Sequence, residues 1–173
     1  MTEKQEKILQ AALQLFGEEG YHATSTKKVA TQAGVSEGLV FRHYENKEGL
    51  LQAVLAEGQK RAQELFFAVI METEAKEAIR KMIELPFSMQ VSEQKFWKLQ
   101  FKLKWEVEVS PDRKMEPLLL SLANAFRKLM YAEPELEAEY LLHCVEGISG
   151  AILKGTLQNK ERMQRFLLEK YNV

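Results

Sequence analysis

Apolar residues recur at helical spacing from the start of the chain. Ile8, Ala12 and Phe16 lie four residues apart, and Leu9 and Leu13 repeat the same interval. Side chains four apart share one face of an α-helix, so this spacing indicates an amphipathic helix. We expect this helix to span Glu3–Gly17 and to end at Gly17 and Gly20, since glycine tolerates the backbone of a helix terminus.

The rest of the chain has the same helical pattern and shows no hairpin signal. A long helix is expected from the Asn46-Lys47-Glu48 segment to Ile70. Proline and polar residues then mark breaks at Pro86, Ser110-Pro111, Pro134 and Gln158-Asn159. The helices predicted between these breaks are Glu74–Ile83, Ser92–Val109, Met115–Tyr131, Glu135–Leu157 and Lys160–Tyr171. The sequence therefore predicts an all-α chain.

Residues 25–47 predict two short helices joined by a tight turn. Ser25 or Thr26 would cap the first helix and Ser36 the second, because a hydroxyl accepts from a free backbone N–H. Gly34 would end the first helix in the left-handed conformation. Two helices with such a turn are typical of helix-turn-helix DNA-binding proteins. The inner face is expected to carry Val29, Ala30, Ala33 and Val40, with Leu39 or Tyr44.

The wider pattern Gly20-Tyr21-x-x-Thr24-Ser25-x-x-x-Val29-Ala30-x-x-Ala33-Gly34-Val35-Ser36-x-Gly38-x-Val40-Phe41-x-His43-Tyr44-x-x-Lys47-Glu48-x-Leu50 resembles the DNA-binding domain of the TetR family of bacterial transcriptional regulators. The resemblance implies an N-terminal three-helix helix-turn-helix domain over residues 1–47. It also implies a C-terminal helical bundle over residues 48–173 that binds an effector and dimerises. The family usually has Tyr and then Phe where this chain has Phe41 and Tyr44, so Tyr44 either supplies the missing hydroxyl or belongs to the core.

In such a domain the second helix of the pair enters the major groove. Its exposed residues then meet base edges, while residues around it contact phosphates. An operator of double-stranded DNA, a small-molecule effector and a second copy of the chain are the implied partners. The residues expected to contact DNA are Ser25, Thr26, Lys27, Ser36, Glu37, Gly38, Leu39, Phe41, Arg42, His43 and Lys47.

Composition narrows the class of protein. The formal net charge of the 173-residue chain is −1, so any DNA binding depends on a local basic patch. The chain has one cysteine, Cys144, which excludes an intrachain disulfide and suits a reducing compartment. Because no signal-peptide core or apolar run of about 18 residues is present, we expect a cytoplasmic location.

Bulky apolar residues over 87–105 allow two interpretations. Trp97, Phe101 and Trp105 are spaced by four and share a helical face. They form either a plain hydrophobic core or the wall of an effector pocket, and the resemblance makes the two equally acceptable. The candidate pocket residues are Phe87, Met89, Trp97, Phe101, Trp105 and His143.

Glycines inside the predicted helix Glu135–Leu157 indicate close helix packing. A glycine in a helix interior costs about 1 kcal/mol relative to alanine, so another helix is expected to approach closely. The resemblance implies that this helix and the last one form the interface between subunits, and tight packing within one subunit is the alternative. The candidate interface residues are Gly147, Gly150, Ile152 and Leu153.

Other functions have weaker support. His143 and Cys144 are neighbours and point about 100° apart on a helix, so they do not converge on one metal ion. We expect no metal, no cofactor and no catalytic residues, and hence a regulator that is not an enzyme. The resemblance implies a sequence-specific DNA-binding regulator, which we expect to be a repressor that a ligand releases from its operator. The alternative is an all-α protein-interaction module whose helix-turn-helix does not bind DNA.

Overall fold

The computed structural model describes residues 1–106 and 115–173, except for the side chain of Trp105. Within these ranges the chain forms nine α-helices and no strand, which confirms the all-α prediction. The predicted end of one helix at Val109 and the predicted break at Ser110-Pro111 lie outside the described residues. The helices are α1 Glu3–Glu19, α2 Thr26–Ala33, α3 Glu37–Tyr44, α4 Lys47–Ile70, α5 Ala75–Glu84, α6 Val91–Glu106, α7 Glu116–Lys128, α8 Pro134–Lys154 and α9 Lys160–Tyr171.

The chain divides into two compact units. The first combines Met1–Arg61 with Lys95–Val109, and the second combines Ala62–Gln94 with Ser110–Val173. Both units therefore include part of α4 and part of α6. The boundary expected after residue 47 stays a prediction. No helix in the described ranges has the length and apolar character needed to cross a membrane.

The core of the first unit forms where the apolar face of α1 meets α2, α3 and α4. Ile8, Phe16, Val29, Val40 and Leu50 are all completely buried in one cluster. Burial of large aliphatic and aromatic side chains contributes roughly 1.5–3 kcal/mol each relative to exposure. The helical spacing read from the sequence therefore corresponds to the side of α1 that holds the helix-turn-helix.

Gly17 does not end α1, contrary to the expectation from sequence. The helix continues to Glu19, and Gly20, with φ of +96°, is its C-cap. Gly17 lies inside the helix, and the absence of a side chain there leaves room for Leu99 of α6, which packs directly on it. A Cβ at position 17 would lie 2.5 Å from Leu99 Cδ2, which is closer than van der Waals contact allows.

Helix α6 joins the first unit through a buried polar contact. Gln100 is 7% exposed, and its amide Nε2 donates to the carbonyl oxygen of Val54 in α4 at 2.9 Å. Gly58, one turn further along α4, leaves room for this amide, since a Cβ there would lie 2.5 Å from Gln100 Oε1. Leu103, one turn after Leu99, is completely buried in the same core.

The second unit has its own core between α5, α7, α8 and α9. Ile79, Leu122, Phe126 and Leu141 are completely buried there. The ring of Phe126 also contacts the rings of Tyr131 and Tyr171, with centroids 5.0 and 5.6 Å away. Burial, together with the nearby carboxylate of Glu137, raises the pKa of the Tyr171 phenol.

The contact at Gly58 leads to a stability prediction. Gly58→Ala should lower the free energy of unfolding, because the new methyl group displaces the buried Gln100 amide from the Val54 carbonyl. The cost of overpacking, about 1–3 kcal/mol, and that of the lost buried hydrogen bond, also about 1–3 kcal/mol, together exceed the roughly 1 kcal/mol gain in helix propensity. Gly38→Ala is the matched control, since nothing lies within 4 Å of a Cβ at that position. Urea unfolding of both variants checks this. An equal or higher stability for Gly58→Ala would contradict the close packing of Gln100.

Candidate nucleic-acid interface

Helices α2 and α3 are joined by a turn of the kind the sequence predicts. The hydroxyl of Ser25 accepts from Lys28 N at 3.2 Å, and that of Ser36 accepts from Leu39 N at 3.3 Å, so each serine caps a helix. Gly34 ends α2 with φ of +68° and ψ of +35°, the left-handed conformation. The N–H of Val35 then donates back to the carbonyl of Ala30 at 3.0 Å. The helix-turn-helix is therefore present.

One side of α3 is fixed against the rest of the first unit. Val40 is completely buried, and Leu39 and Tyr44 are half-buried. The Tyr44 hydroxyl donates to the backbone carbonyl of Gln5 in α1 at 3.2 Å, and burial raises the pKa of this phenol. Of the two roles left open for Tyr44, the structure favours the core, with the hydroxyl tying α3 to α1.

The other side of α3 is open. Gly38 and Arg42 are exposed, and the Phe41 ring is 43% exposed, a large fraction for an aromatic side chain. Arg42 forms no ion pair with any residue that the structure describes. The open side of α3 thus presents the ring of Phe41, the guanidinium of Arg42 and the backbone of Gly38, which no side chain covers, to a partner.

Glu37, the first residue of α3, is held by α2. Thr26 Oγ1 donates to Glu37 Oε1 at 2.6 Å, and both residues are half-buried. The hydroxyl proton of Thr26 is therefore already used within the chain. The second carboxylate oxygen of Glu37 keeps its capacity to accept a hydrogen bond.

His43 lies on the last turn of α3 and contacts α1. Its Nδ1 is 3.4 Å from the side-chain amide nitrogen of Gln5, and its ring packs edge-on to Tyr44, with centroids 6.1 Å apart. Sequence reasoning did not single out Gln5, because its two contacts with α3 join residues 38 and 39 positions apart. Only its place in a capping pattern, Thr-x-x-Gln, was visible in the sequence.

The four cations between residues 25 and 47 differ in their surroundings. Lys27 is exposed on α2, whereas Lys28 forms an ion pair with Glu19 at 2.5 Å. Lys47 is half-buried, with its ammonium 4.4 Å from the centre of the Tyr21 ring and 3.3 Å from the His22 carbonyl oxygen. Together with exposed Arg42, these cations occupy both helices and the start of α4.

The ring of Tyr21 packs against the ammonium of Lys47. Tyr21 was not among the residues that the sequence predicts to contact DNA. Its hydroxyl donates to Glu48 at 2.9 Å. Desolvation and this carboxylate raise the pKa of Tyr21 to about 12, and the hydrogen bonds from Gln52 and Tyr21 lower that of Glu48. The tyrosine is thus neutral at ordinary pH, and its ring face remains available to the ammonium of Lys47.

The candidate pocket residues are distributed over both units. Trp97, which is 9% exposed, and the half-buried Phe101 belong to the first unit. Phe87 and Met89 are half-buried in the second unit, where Phe87 packs against the core. His143 is exposed, with Nδ1 3.8 Å from Glu146 Oε2, and the Trp105 side chain lies outside the described residues. The pocket stays a prediction. In the described ranges, no three His, Cys, Asp or Glu side chains are placed to hold a metal ion.

The candidate interface residues on α8 face different ways. Gly150, Ile152 and Leu153 are buried within the chain, so a partner would not reach these residues directly. Gly147 is exposed, and nothing lies within 4 Å of a Cβ there. The exposed apolar residues of this helix, Leu136 and Tyr140, lie on earlier turns and were not predicted.

Comparison with known proteins agrees with this geometry. The sequence model described as "Bacterial regulatory proteins, tetR family" matches residues 8–54, which contain the helix-turn-helix. An uncharacterised helix-turn-helix regulator of Bacillus subtilis, YvkB, is 46% identical over 57 residues, 33% of this chain and 30% of that protein. The regulator UidR of Escherichia coli K12 is 38% identical over 56 residues, 32% of this chain and 29% of that protein.

Solved structures resemble the whole chain. A TetR-family regulator from Rhodococcus aligns with a TM-score of 0.76 at 20% identity, covering 99% of this chain and 98% of that one. FadR from Bacillus subtilis, solved with stearoyl-CoA, aligns with a TM-score of 0.68 at 19% identity and 96% coverage of each chain. Residues 8–54 therefore match the TetR family model, and the fold of the chain resembles that of TetR-family regulators. The alignments to the first curated relatives span only about 30% of their length.

The assignment of Tyr44 to the core can be tested by removing its hydroxyl. Tyr44→Phe should lower the free energy of unfolding by about 0.5–1.5 kcal/mol through loss of the hydrogen bond to Gln5. DNA affinity of the folded variant should not change, as measured by fluorescence anisotropy. A weaker affinity with a shallower salt dependence would instead make the hydroxyl a phosphate ligand.

Proposed function

We propose that the protein is a sequence-specific DNA-binding transcriptional regulator. The observation that carries the proposal is the outward face of α3, with Gly38, Phe41 and Arg42 exposed on a helix whose opposite side is anchored by Val40. A helix fits the major groove of B-DNA, where each base pair presents a distinct pattern of donors and acceptors. The match of residues 8–54 to a family of bacterial regulatory proteins supports the same function.

Base reading is proposed for Glu37, Gly38, Phe41 and Arg42, whereas the half-buried Leu39 lies with the anchored side of α3. The carboxylate of Glu37, oriented by Thr26, suits the amino group of a cytosine. Phe41 suits a thymine methyl group, and Arg42 suits the acceptor pair of a guanine or a phosphate.

Phosphate contacts are proposed for the residues around α3. Ser25 and Ser36 use an oxygen lone pair for capping, so each hydroxyl proton is left to donate to a phosphate. Lys27 and Lys47 provide positive charge at the starts of α2 and α4. Thr26 would contact a phosphate only by releasing Glu37, which makes it the weakest member of this group.

A homodimer through α8 and α9 is the proposed assembly. On α8, Leu136 and Tyr140 are 62% and 51% exposed, and Gly147 lies two turns further along the same face. On α9, Phe166 is 59% exposed, one turn before Lys170, whose ammonium is 6.0 Å from the Tyr140 ring. We propose that these exposed apolar residues of the two helices pack against a second copy of the chain. Dimerisation is typical of the family.

Regulation by a small molecule is proposed for the C-terminal helices. A structural neighbour, FadR from Bacillus subtilis, was solved with stearoyl-CoA, and a curated relative is a fatty acid metabolism regulator, 33% identical over 84 residues. A ligand that favours the DNA-free form by about 1–3 kcal/mol would release a repressor at its operator. Long-chain acyl-CoA is the first effector to test. A cytoplasmic location follows from this role.

The proposal as a whole is tested by selecting a binding site from random duplexes. The purified protein should enrich a near-palindrome, with half-sites about 34–36 Å apart or somewhat more. Addition of acyl-CoA or other candidate effectors to the selected complex then tests release. Failure to enrich any sequence would favour the protein-interaction alternative.

Arg42 gives a residue-level prediction. Arg42→Ala should leave the fold intact and weaken operator binding by about 1–3 kcal/mol if the guanidinium reads a guanine. Arg42→Lys is the matched control, because lysine keeps the charge and loses the two-pronged geometry. Anisotropy titrations at several salt concentrations distinguish a contact of Arg42 with a guanine from one with a phosphate. An unchanged affinity for Arg42→Ala would remove this residue from the interface.

The proposed interface is tested by placing a charge on α8. Leu136→Glu should shift the protein from dimer towards monomer, because burial of an unpaired carboxylate is costly. Leu120→Glu on α7 is the control, since Leu120 is 63% exposed, as Leu136 is 62% exposed. Sedimentation equilibrium measures the shift. A dimer equally stable in both variants would place the interface elsewhere.

A further inference from the structure

Gln5 connects the first turn of α1 to the last turn of α3. It is the third residue of the capping box of α1, where its backbone N–H donates to Thr2 Oγ1 at 3.3 Å. In return, its side-chain oxygen Oε1 accepts from the backbone N–H of Thr2 at 2.8 Å. Its backbone carbonyl accepts the hydroxyl of Tyr44, and its amide nitrogen faces Nδ1 of His43 at 3.4 Å.

The capping box fixes the orientation of the Gln5 amide. A backbone N–H can only donate, so the atom facing Thr2 N must be the oxygen Oε1. The opposite orientation would set the amide NH₂ against the N–H of Thr2, two donors with no acceptor between them. The NH₂ group therefore points to His43, and this assignment does not depend on the imidazole.

The orientation of the amide in turn selects the tautomer of His43. An amide NH₂ donates and does not accept, so Nδ1 of His43 must accept from it. A neutral imidazole carries one ring proton, which is then on Nε2. The same contact fixes the direction of the ring, which also packs edge-on to Tyr44.

We propose that Gln5 is a positioning residue for DNA binding, which holds His43 as the Nε2–H tautomer so that Nε2 donates to a phosphate. The hydrogen bond from His43 to a phosphate rests on the proposed DNA-binding function, whereas the tautomer does not. The tautomer is a property of the free protein. The capping box at the start of α1 thereby determines which ring nitrogen of His43 carries the proton.

The tautomer is measured by ¹⁵N NMR of the histidine ring in the full-length protein without DNA, in mildly alkaline buffer. The Nδ1 signal of His43 should be that of an unprotonated ring nitrogen, and the Nε2 signal that of a protonated one. Gln5→Glu should reverse this assignment, because a carboxylate still accepts from Thr2 N but offers His43 only an acceptor. A wild-type His43 protonated on Nδ1, or no change in Gln5→Glu, would overturn the proposal.

Thr2→Ala is the matched control for loss of the helix cap. It removes the hydroxyl that accepts from Gln5 N but keeps the backbone N–H that orients the amide. We expect the tautomer of His43 to stay the same in Thr2→Ala. A reversal in this variant would show that the tautomer follows the stability of α1 rather than the Gln5 side chain.

DNA binding is then compared on one selected duplex. His43→Ala should weaken binding by about ten- to a hundredfold, the range for a hydrogen bond to a charged group. Gln5→Ala should weaken it several-fold in the wild-type background and have no further effect in the His43→Ala background. Equal losses in both backgrounds would overturn the positioning role. If the wild-type protein binds no duplex, the proposed function fails, while the NMR result still decides the tautomer.

Discussion

The arrangement of the helix-turn-helix depends on burial of one side of α3. This helix has eight residues, too few to be stable alone in water. Its only completely buried side chain is Val40, which lies in a cluster with Ile8, Phe16 and Leu50. Because Val40 carries most of the apolar anchoring, the packing of α2 together with α1 and α4 around this side chain decides where α3 lies.

Apolar burial holds a short helix in place but does not fix its rotation, and polar contacts at its two ends supply this restraint. At the start of α3, Thr26 holds Glu37. At its end, Gln5 contacts both His43 and Tyr44. Each neutral hydrogen bond contributes only about 1 kcal/mol to stability, so these contacts matter mainly for direction. A side chain that reads a base edge needs such preorganisation.

The features predicted correctly from sequence are local ones. The caps at Ser25 and Ser36 and the turn at Gly34 depend on neighbours within a few positions, and the structure has all three. The prediction that Gly17 ends α1 was wrong, because Leu99, the residue that packs on this glycine, lies far along the chain. The role of Gln5 was not predicted either, because the residues of α3 that it contacts are also distant in sequence. The pocket could not be derived, since shared helical spacing does not determine which aromatic side chains meet.

The small net charge of −1 determines how such a protein can bind DNA. A strongly basic domain gains affinity from any phosphate backbone through counterion release. Here Lys28 is paired with Glu19, and Glu37 adds a negative charge beside the reading face. Affinity must then come from correctly placed contacts, which the proposed dimer would make with two copies of the helix-turn-helix at once. Each such contact is modest, so a small change in the distance between the two helix-turn-helix domains of the proposed dimer would remove several contacts together. The proposed effector would therefore need to contribute only a few kcal/mol to release the DNA.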